Sequence, residues 1–224
     1  MQKLLIFDMD GALVDVTGSY RQAVMETVKH FTNADITHQE IQARKNRGGA
    51  NNDWDLTLEM ICERGGSPSR QEVIVAFQRI YLGDNCNGLI HYERWLAGDG
   101  LLQRLSKRWR LALFTGRMRW EALYTLHRFA PQAVFDPMVC MEDVAREKPD
   151  PDGLINILRA VEPLQAYYIG DTMDDCRAAQ RAAVPFIGVA GPENPLREEL
   201  RARFQREGAV AVISDLNELE RRLA

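Results

Sequence analysis

The apolar positions of this chain follow two different rhythms. In the first, short unbroken runs stop abruptly at Asp, Gly or Thr: Leu4-Leu5-Ile6-Phe7, Leu111-Ala112-Leu113-Phe114, Tyr167-Tyr168-Ile169 and Phe186 to Ala190. Runs of that length without alternation predict strands buried on both faces, as in a parallel sheet covered by helices. Met138 to Met141 and Ala209 to Ile213 predict two further short strands. Between these runs, helices are expected over Gly100 to Arg108, Trp120 to Phe129, Gly153 to Val161, Arg177 to Ala183 and Asp215 to Leu223, with Leu154, Ile157 and Leu158 at core spacing. Strands that alternate with helices predict an α/β fold built on a mostly parallel sheet.

The second rhythm is purely helical. Ser19 to Phe31 sets Tyr20, Ala23, Val24, Thr27, Val28 and Phe31 on one stripe, with Thr17 or Ser19 available to cap it. Thr37-His38-Gln39-Glu40 and Ser69-Arg70-Gln71-Glu72 are capping boxes, in which hydroxyl and carboxylate satisfy each other's backbone donors. The first of these helices should end near Arg47, before Gly48-Gly49. Asn51-Asn52-Asp53 opens another helix, carrying Trp54, Leu56, Leu58 and Ile61 and stopped by Gly65-Gly66. No strand-like alternation occurs here. The shift marks an all-helical insertion, residues 16–95, in an α/β unit made of residues 1–15 and 96–224.

Composition narrows the partners. A net charge of -4 over 224 residues speaks against a nucleic-acid surface, and no apolar run reaches membrane-spanning length. Cys62, Cys86, Cys140 and Cys176 form no Cys-x-x-Cys pair and no leader peptide opens the chain, so a reduced, cytoplasmic protein is expected. The four histidines are equally scattered, which is not the clustering a zinc site needs.

The strand ends carry the chemistry. Asp8 and Asp10, with Gly11 to turn the chain, close the first run; Thr115-Gly116-Arg117 closes another; Asp171, Asp174 and Asp175 close a third. Lys148-Pro149-Asp150-Pro151-Asp152 is too proline-rich for a helix interior and holds a lysine on stiff backbone. In an open parallel sheet, ligands bind in the crevice outside these carboxyl ends. Taken singly, Asp-x-Asp-Gly is also an ordinary strand-ending turn. Taken together, the carboxylates would repel unless a cation sat among them, and Mg2+ fits because it takes oxygen ligands and shares them with a substrate phosphate. Asp8 could then form an acyl-phosphate, while Thr115 and Lys148 bind the equatorial oxygens.

In four places the chain resembles the haloacid dehalogenase superfamily of phosphohydrolases: Asp8-Met9-Asp10-Gly11, Leu113-Phe114-Thr115-Gly116, Lys148-Pro149-Asp150-Pro151, and Ile169-Gly170-Asp171-Thr172-Met173-Asp174-Asp175. The helical insertion is similar to the cap of the phosphoglycolate-phosphatase-like branch. This resemblance implies a Rossmann-like core, with the Asp8 strand between those ending at Thr115 and Asp171. It implies Asp8 as nucleophile and Mg2+ ligand, Asp10 as acid and base with its carbonyl on the metal, and Thr115 with the Gly116 amide on the phosphoryl group. Lys148 would balance charge, and Asp171 and Asp175 would ligate the metal. Asp10 favours phosphate esters, because an alkoxide leaving group needs a proton. Ala12 departs from the usual Thr or Val. The implied substrate is a small phosphorylated metabolite, with phosphoglycolate, histidinol phosphate and sugar phosphates as candidates. A phosphomutase or a silent binding protein shares the fold, although the intact residue set speaks against silence. A metal-dependent glycosyltransferase reading of Asp8-x-Asp10 fails, since it needs a nucleotide-binding fold before the acids and only seven residues precede them. Arg44, Lys45 and Arg47 are expected either to line the substrate face of the cap or to be solvated helix charge. Arg117 is expected to bind substrate beside Gly116; Arg117 and Glu142 are expected near the crevice, either of them as a partner of a site residue, with Glu142 and Asp143 equally readable as a solvated loop. Arg197 to Arg206 is expected as an exposed, ion-paired helix face.

Overall fold

A computed structural model of the protein describes residues 3–223. The chain runs from β1 (Lys3–Phe7) to the two-residue β2 (Val14–Asp15), makes a wide π turn over Thr17–Arg21, and enters α1 (Gln22–Thr32), α2 (His38–Lys45), α3 (Asp53–Cys62) and α4 (Arg70–Leu82). A 3-10 turn at Leu89–Tyr92 leads to β3 (Arg94–Trp95). There follow α5 (Leu101–Ser106), β4 (Arg110–Phe114), α6 (Arg119–Phe129), β5 (Met138–Val139), α7 (Asp152–Val161), β6 (Gln165–Gly170), α8 (Met173–Arg181), β7 (Phe186–Val189), α9 (Arg197–Arg206), β8 (Ala211–Ile213) and α10 (Leu219–Arg222).

Six strands form one sheet in the order β5-β4-β1-β6-β7-β8, with every pairing parallel. β1 lies inside it, Phe7 facing Leu113 on one side and Ile169 on the other. The residues that follow β1, β4 and β6 are therefore delivered to one edge. Side chains alternate across the sheet. Leu4 and Ile6 pack with Ala112, Phe114, Tyr168 and residues of α7, α8 and α9, whereas Leu5 and Phe7 pack with Leu111, Leu113 and residues of α5 and α6. Both faces are covered, which is why the strands read as unbroken apolar runs: the fold is Rossmann-like α/β. Fully burying one such Leu or Phe contributes about 1.5–3 kcal/mol.

α1, α3 and α4 pack on one another between β2 and β3 in the chain. Tyr20 anchors them, its ring 4.2 Å from that of Tyr81 and 5.8 Å from that of Phe77. The two capping boxes form as expected, and the Asn52 side chain accepts from the amides of Trp54 and Asp55. No helix among the described residues is long and apolar enough to cross a membrane.

Four local expectations need correction. Residues up to 95 are not free of strand, because Arg94–Trp95 pairs antiparallel with Val14–Asp15 where the chain leaves and re-enters the sheet. Neither Thr17 nor Ser19 caps α1: the Ser19 hydroxyl donates to the Val16 carbonyl and the Thr17 amide donates to Asp15. α8 starts at Met173 rather than Arg177, since Thr172 and Asp175 form a capping box in which Asp takes the place of the usual Glu. The closing helix is broken, a 3-10 turn at Leu216–Glu218 capped by Asp215 preceding α10.

Candidate active site

Asp8 lies one residue beyond β1 and continues its register, its amide donating to the Ile169 carbonyl at 2.8 Å. The Lys148 ammonium meets it at 2.5 Å and also reaches Asp175 at 2.8 Å. All three side chains are buried. Burial drives the Asp8 carboxyl well above the usual carboxylate range; Lys148 pulls it back, and the Asp175 and Asp171 charges push it further up. For Asp175, burial also pushes upward, but Lys148 and hydrogen bonds from Thr172 and Tyr168 outweigh it and hold the pKa down. Burial disfavours the Lys148 charge, yet the Asp175 and Asp8 carboxylates win and raise its pKa.

Asp171 follows β6 and faces Asp8 across the crevice. One oxygen from each of Asp8, Asp171 and Asp175 can be chosen so that all lie within 4.8 Å of one another. Asp171 Oδ1 is buried and has no hydrogen-bond partner among the described residues. Burial and then the Asp175 charge push its pKa up to about 7, with Arg21 and Lys45 opposing. An orphaned carboxylate oxygen within an all-oxygen cluster is what a hard divalent cation would satisfy, so these residues fit Mg2+. Asp175 fits less simply: its Oδ1 already accepts from Tyr168 at 2.5 Å and its Oδ2 accepts from the Thr172 hydroxyl at 2.6 Å and amide at 3.0 Å. Gly11 is required where it stands. Its φ is +75°, and a Cβ there would come within 1.9 Å of Asp171 Oδ2.

The cleft is lined by Asp8, Asp10, Lys148, Asp171 and Asp175 with Gly116 and Arg117. Thr115 is buried just behind, beside Gly116 and Lys148, where its hydroxyl accepts from the Arg117 amide at 3.1 Å. From the helical segment the lining takes Tyr20, Arg21, Lys45, Asn51, Asn52, Asp53 and Trp54. Lys45 is the one residue of the expected basic trio that reaches the cleft; it pairs with Asp53 at 2.9 Å and donates to the Ala50 carbonyl at 3.0 Å. Arg44 is instead held by Glu59 and Glu63, and Arg47 is exposed and outside the lining. The reason is the short helix α2, whose consecutive positions face different ways.

Other placements also differ from expectation. Arg117 is not free for a ligand: its guanidinium is buried against Asp10 and Glu93. Glu142 accepts from the Arg119 amide at the start of α6, away from the lining. Asp174 faces the helical segment, accepting from the amides of Gly49 at 2.6 Å and Ala50 at 3.0 Å. Nearby, Glu147 accepts from Asn51 and Asn52, each at 3.0 Å. Sequence reasoning missed Arg21, Glu93, Glu121 and Glu147. Only Arg21 left a signal, as a cation beside Tyr20 on an otherwise apolar stripe.

A parallel Rossmann-like sheet with an acid-lined crevice at the carboxyl ends of three adjacent strands defines a class of α/β proteins that act on bound ligands there. Residues 5–189 match the family described as haloacid dehalogenase-like hydrolase, and the chain belongs to that family. An imidazoleglycerol-phosphate dehydratase from Phytophthora nicotianae is 34% identical over an alignment of 198 residues that covers 84% of this chain and 43% of that protein, so the chain spans under half of this relative's length. A phosphorylated carbohydrates phosphatase from Thermotoga maritima is 27% identical, with 93% of each chain covered. Among solved structures, a haloacid dehalogenase-like hydrolase from Bacteroides fragilis superposes with a TM-score of 0.77 at 20% identity, covering 98% of this chain and all (100%) of that one.

Proposed function

We propose that this protein is a Mg2+-dependent phosphatase that hydrolyses a small phosphorylated metabolite through an aspartyl-phosphate on Asp8. The observation that carries this reading is the meeting of Lys148 with Asp8 and Asp175, at 2.5 and 2.8 Å, beside the orphaned Asp171 oxygen. Asp8, Asp171 and the Asp10 carbonyl would hold the ion, with Asp175 reaching it directly or through water. When bound, it supplies positive charge that lets three buried carboxylates stay ionised beside a phosphate.

In the reaction, an Asp8 oxygen attacks phosphorus as the bond to the leaving oxygen breaks. The Asp10 carboxyl gives its proton to that oxygen and then, as carboxylate, takes one from the water that attacks the acyl-phosphate. Lys148 opposes the charge on Asp8 and on the transferring group. Thr115 and the Gly116 amide donate to its equatorial oxygens. Asp175 also orients Lys148, and is itself held in place by Tyr168 and Thr172.

Residues 16–95 form the cap and residues 1–15 with 96–224 the catalytic core in this reading. The small cleft, about 40 Å³, has room for a few waters but not for a phosphate ester, so the substrate enters when the cap lifts. Arg21 and Lys45 share the single Asp53 carboxylate, leaving one positive charge facing the crevice. Phosphorylated carbohydrates and phosphoglycolate are named for two of the relatives, and imidazoleglycerol phosphate for a third, which supports sugar phosphates, phosphoglycolate and histidinol phosphate as the first esters to try. The test is a screen of phosphate release over these esters with Mg2+ or with chelator. Metal-dependent turnover of one of them is expected, and turnover unaffected by chelator would overturn the reading.

A further inference from the structure

Arg117 is among the largest fully buried side chains of the protein, and it is a cation. Its Nε donates to Asp10 Oδ1 at 2.7 Å, and its Nη2 lies 2.5 Å from the same oxygen and 2.7 Å from Glu93 Oε1. Nη1 donates to the Thr125 hydroxyl at 2.8 Å, and the ring of Tyr20 lies 5.0 Å from the guanidinium. Glu93 is itself closed in, accepting from Tyr81 at 2.9 Å and from Thr125 at 2.8 Å. Burying an ion triad seldom adds stability over an apolar filling, so stability alone is a poor reason for it. What the triad supplies is direction. Both contacts to Asp10 fall on Oδ1, and Oδ2 makes no hydrogen bond among the described residues, so one acid oxygen is pinned while the other is left for the cleft.

We propose that Arg117 and Glu93 are a positioning pair that fixes the Asp10 carboxylate for proton transfer, and that Glu93 and Tyr81 make this fixing depend on how the helical segment is seated. Tyr81 belongs to α4, and Glu93 immediately precedes β3, one of the two crossings to the sheet. A displacement of α4 draws Glu93 with it, releases Arg117, and lets the Asp10 carboxylate swing. The proton donor is therefore aligned when α4 and β3 are in place and loosened otherwise. The inference rests on Asp10 being the acid of the proposed reaction.

The test compares phenyl phosphate with p-nitrophenyl phosphate, two aryl esters whose leaving oxygens differ in their need for a proton. Glu93→Gln and Arg117→Met are expected to lower kcat on phenyl phosphate at least about tenfold more than on p-nitrophenyl phosphate, with KM little changed and with Arg117→Lys restoring part of the loss. Where Arg117→Met alone fails to fold because it strands the Glu93 charge, the double variant Arg117→Met/Glu93→Gln removes both charges and carries the same expectation. Equal losses on the two esters, alongside a selective loss in Asp10→Asn, would overturn the positioning pair and leave the phosphatase reading intact. No selectivity in Asp10→Asn would remove Asp10 as the acid and the inference with it.

Discussion

The Lys148 ammonium opposes the burial that disfavours charge on Asp8 and Asp175. Without it, Asp8 and Asp175 would face each other buried and unneutralised, and the cheapest relief is for Asp8 to take up a proton, which would end the nucleophilic role proposed for it. Lys148→Ala is therefore expected to lose phosphatase activity by about a thousandfold or more while keeping its far-UV circular dichroism. Breaking a buried pair costs up to about 3–5 kcal/mol, and protonation of Asp8 recovers part of that, so the melting temperature should fall without loss of the fold. Asp8→Asn should also abolish turnover; full activity on p-nitrophenyl phosphate would remove Asp8 as the nucleophile. Much of this site was legible at residue level, because Asp8, Thr115 and Asp171 each follow an apolar run and Lys148 stands in a proline-rich segment, a combination that turn formation alone does not require. Glu93 was not legible. A lone glutamate after a helix looks like any solvated charge, and only the fold reveals that it lies under Arg117.

At the scale of elements, the loop between α2 and α3 is tied to the sheet's crevice at two points, Asp174 on the Gly49 and Ala50 amides and Glu147 on Asn51 and Asn52. Asp174→Ala frees those amides, and faster hydrogen exchange at Gly49 and Ala50 is expected, with α8 unchanged; unaltered exchange would show that the loop is held otherwise. The crossing strands have their own clamp, in which Asp15 accepts from the Thr17 amide at 2.9 Å and pairs with Arg94. Burial raises the Asp15 pKa, but the Thr17 and Arg94 bonds outweigh it and leave it lowered. A folded pKa below the unfolded one stabilises above the unfolded value, about 3.9, and the benefit is lost as pH falls through the folded value. Arg94 is largely exposed, so Asp15→Asn should cost only about 1 kcal/mol at neutral pH, and the gap to the parent protein should close in acid denaturation series. Helix and strand types were readable from periodicity and capping boxes. The start of α8 was not, since a Thr-x-x-Asp box is harder to see than Thr-x-x-Glu, and the two-residue pairing of β2 with β3 is too short to leave a pattern.

For the molecule as a whole, a cation that binds only the folded state adds stability by mass action, about 2.7 kcal/mol at a hundred times its dissociation constant. Mg2+ should raise the melting temperature of the parent protein by several degrees, and Asp171→Asn should lose that rise. A rise of equal size in Asp171→Asn would place the ion elsewhere. The sheet order could not be derived from the runs themselves, since six short apolar strands can be arranged in many ways; the place of the Asp8 strand came only with the family resemblance, and it is what gathers the dispersed acids. The order also has a price in assembly. β1 has one edge filled only by β4, from residue 110, and the other only by β6, from residue 165. Until residue 165 is made, a strongly apolar ribbon therefore keeps at least one edge open to the wrong chain. Nascent chains halted before residue 165 should be retained by chaperones or precipitate, and those reaching past residue 190 should be released.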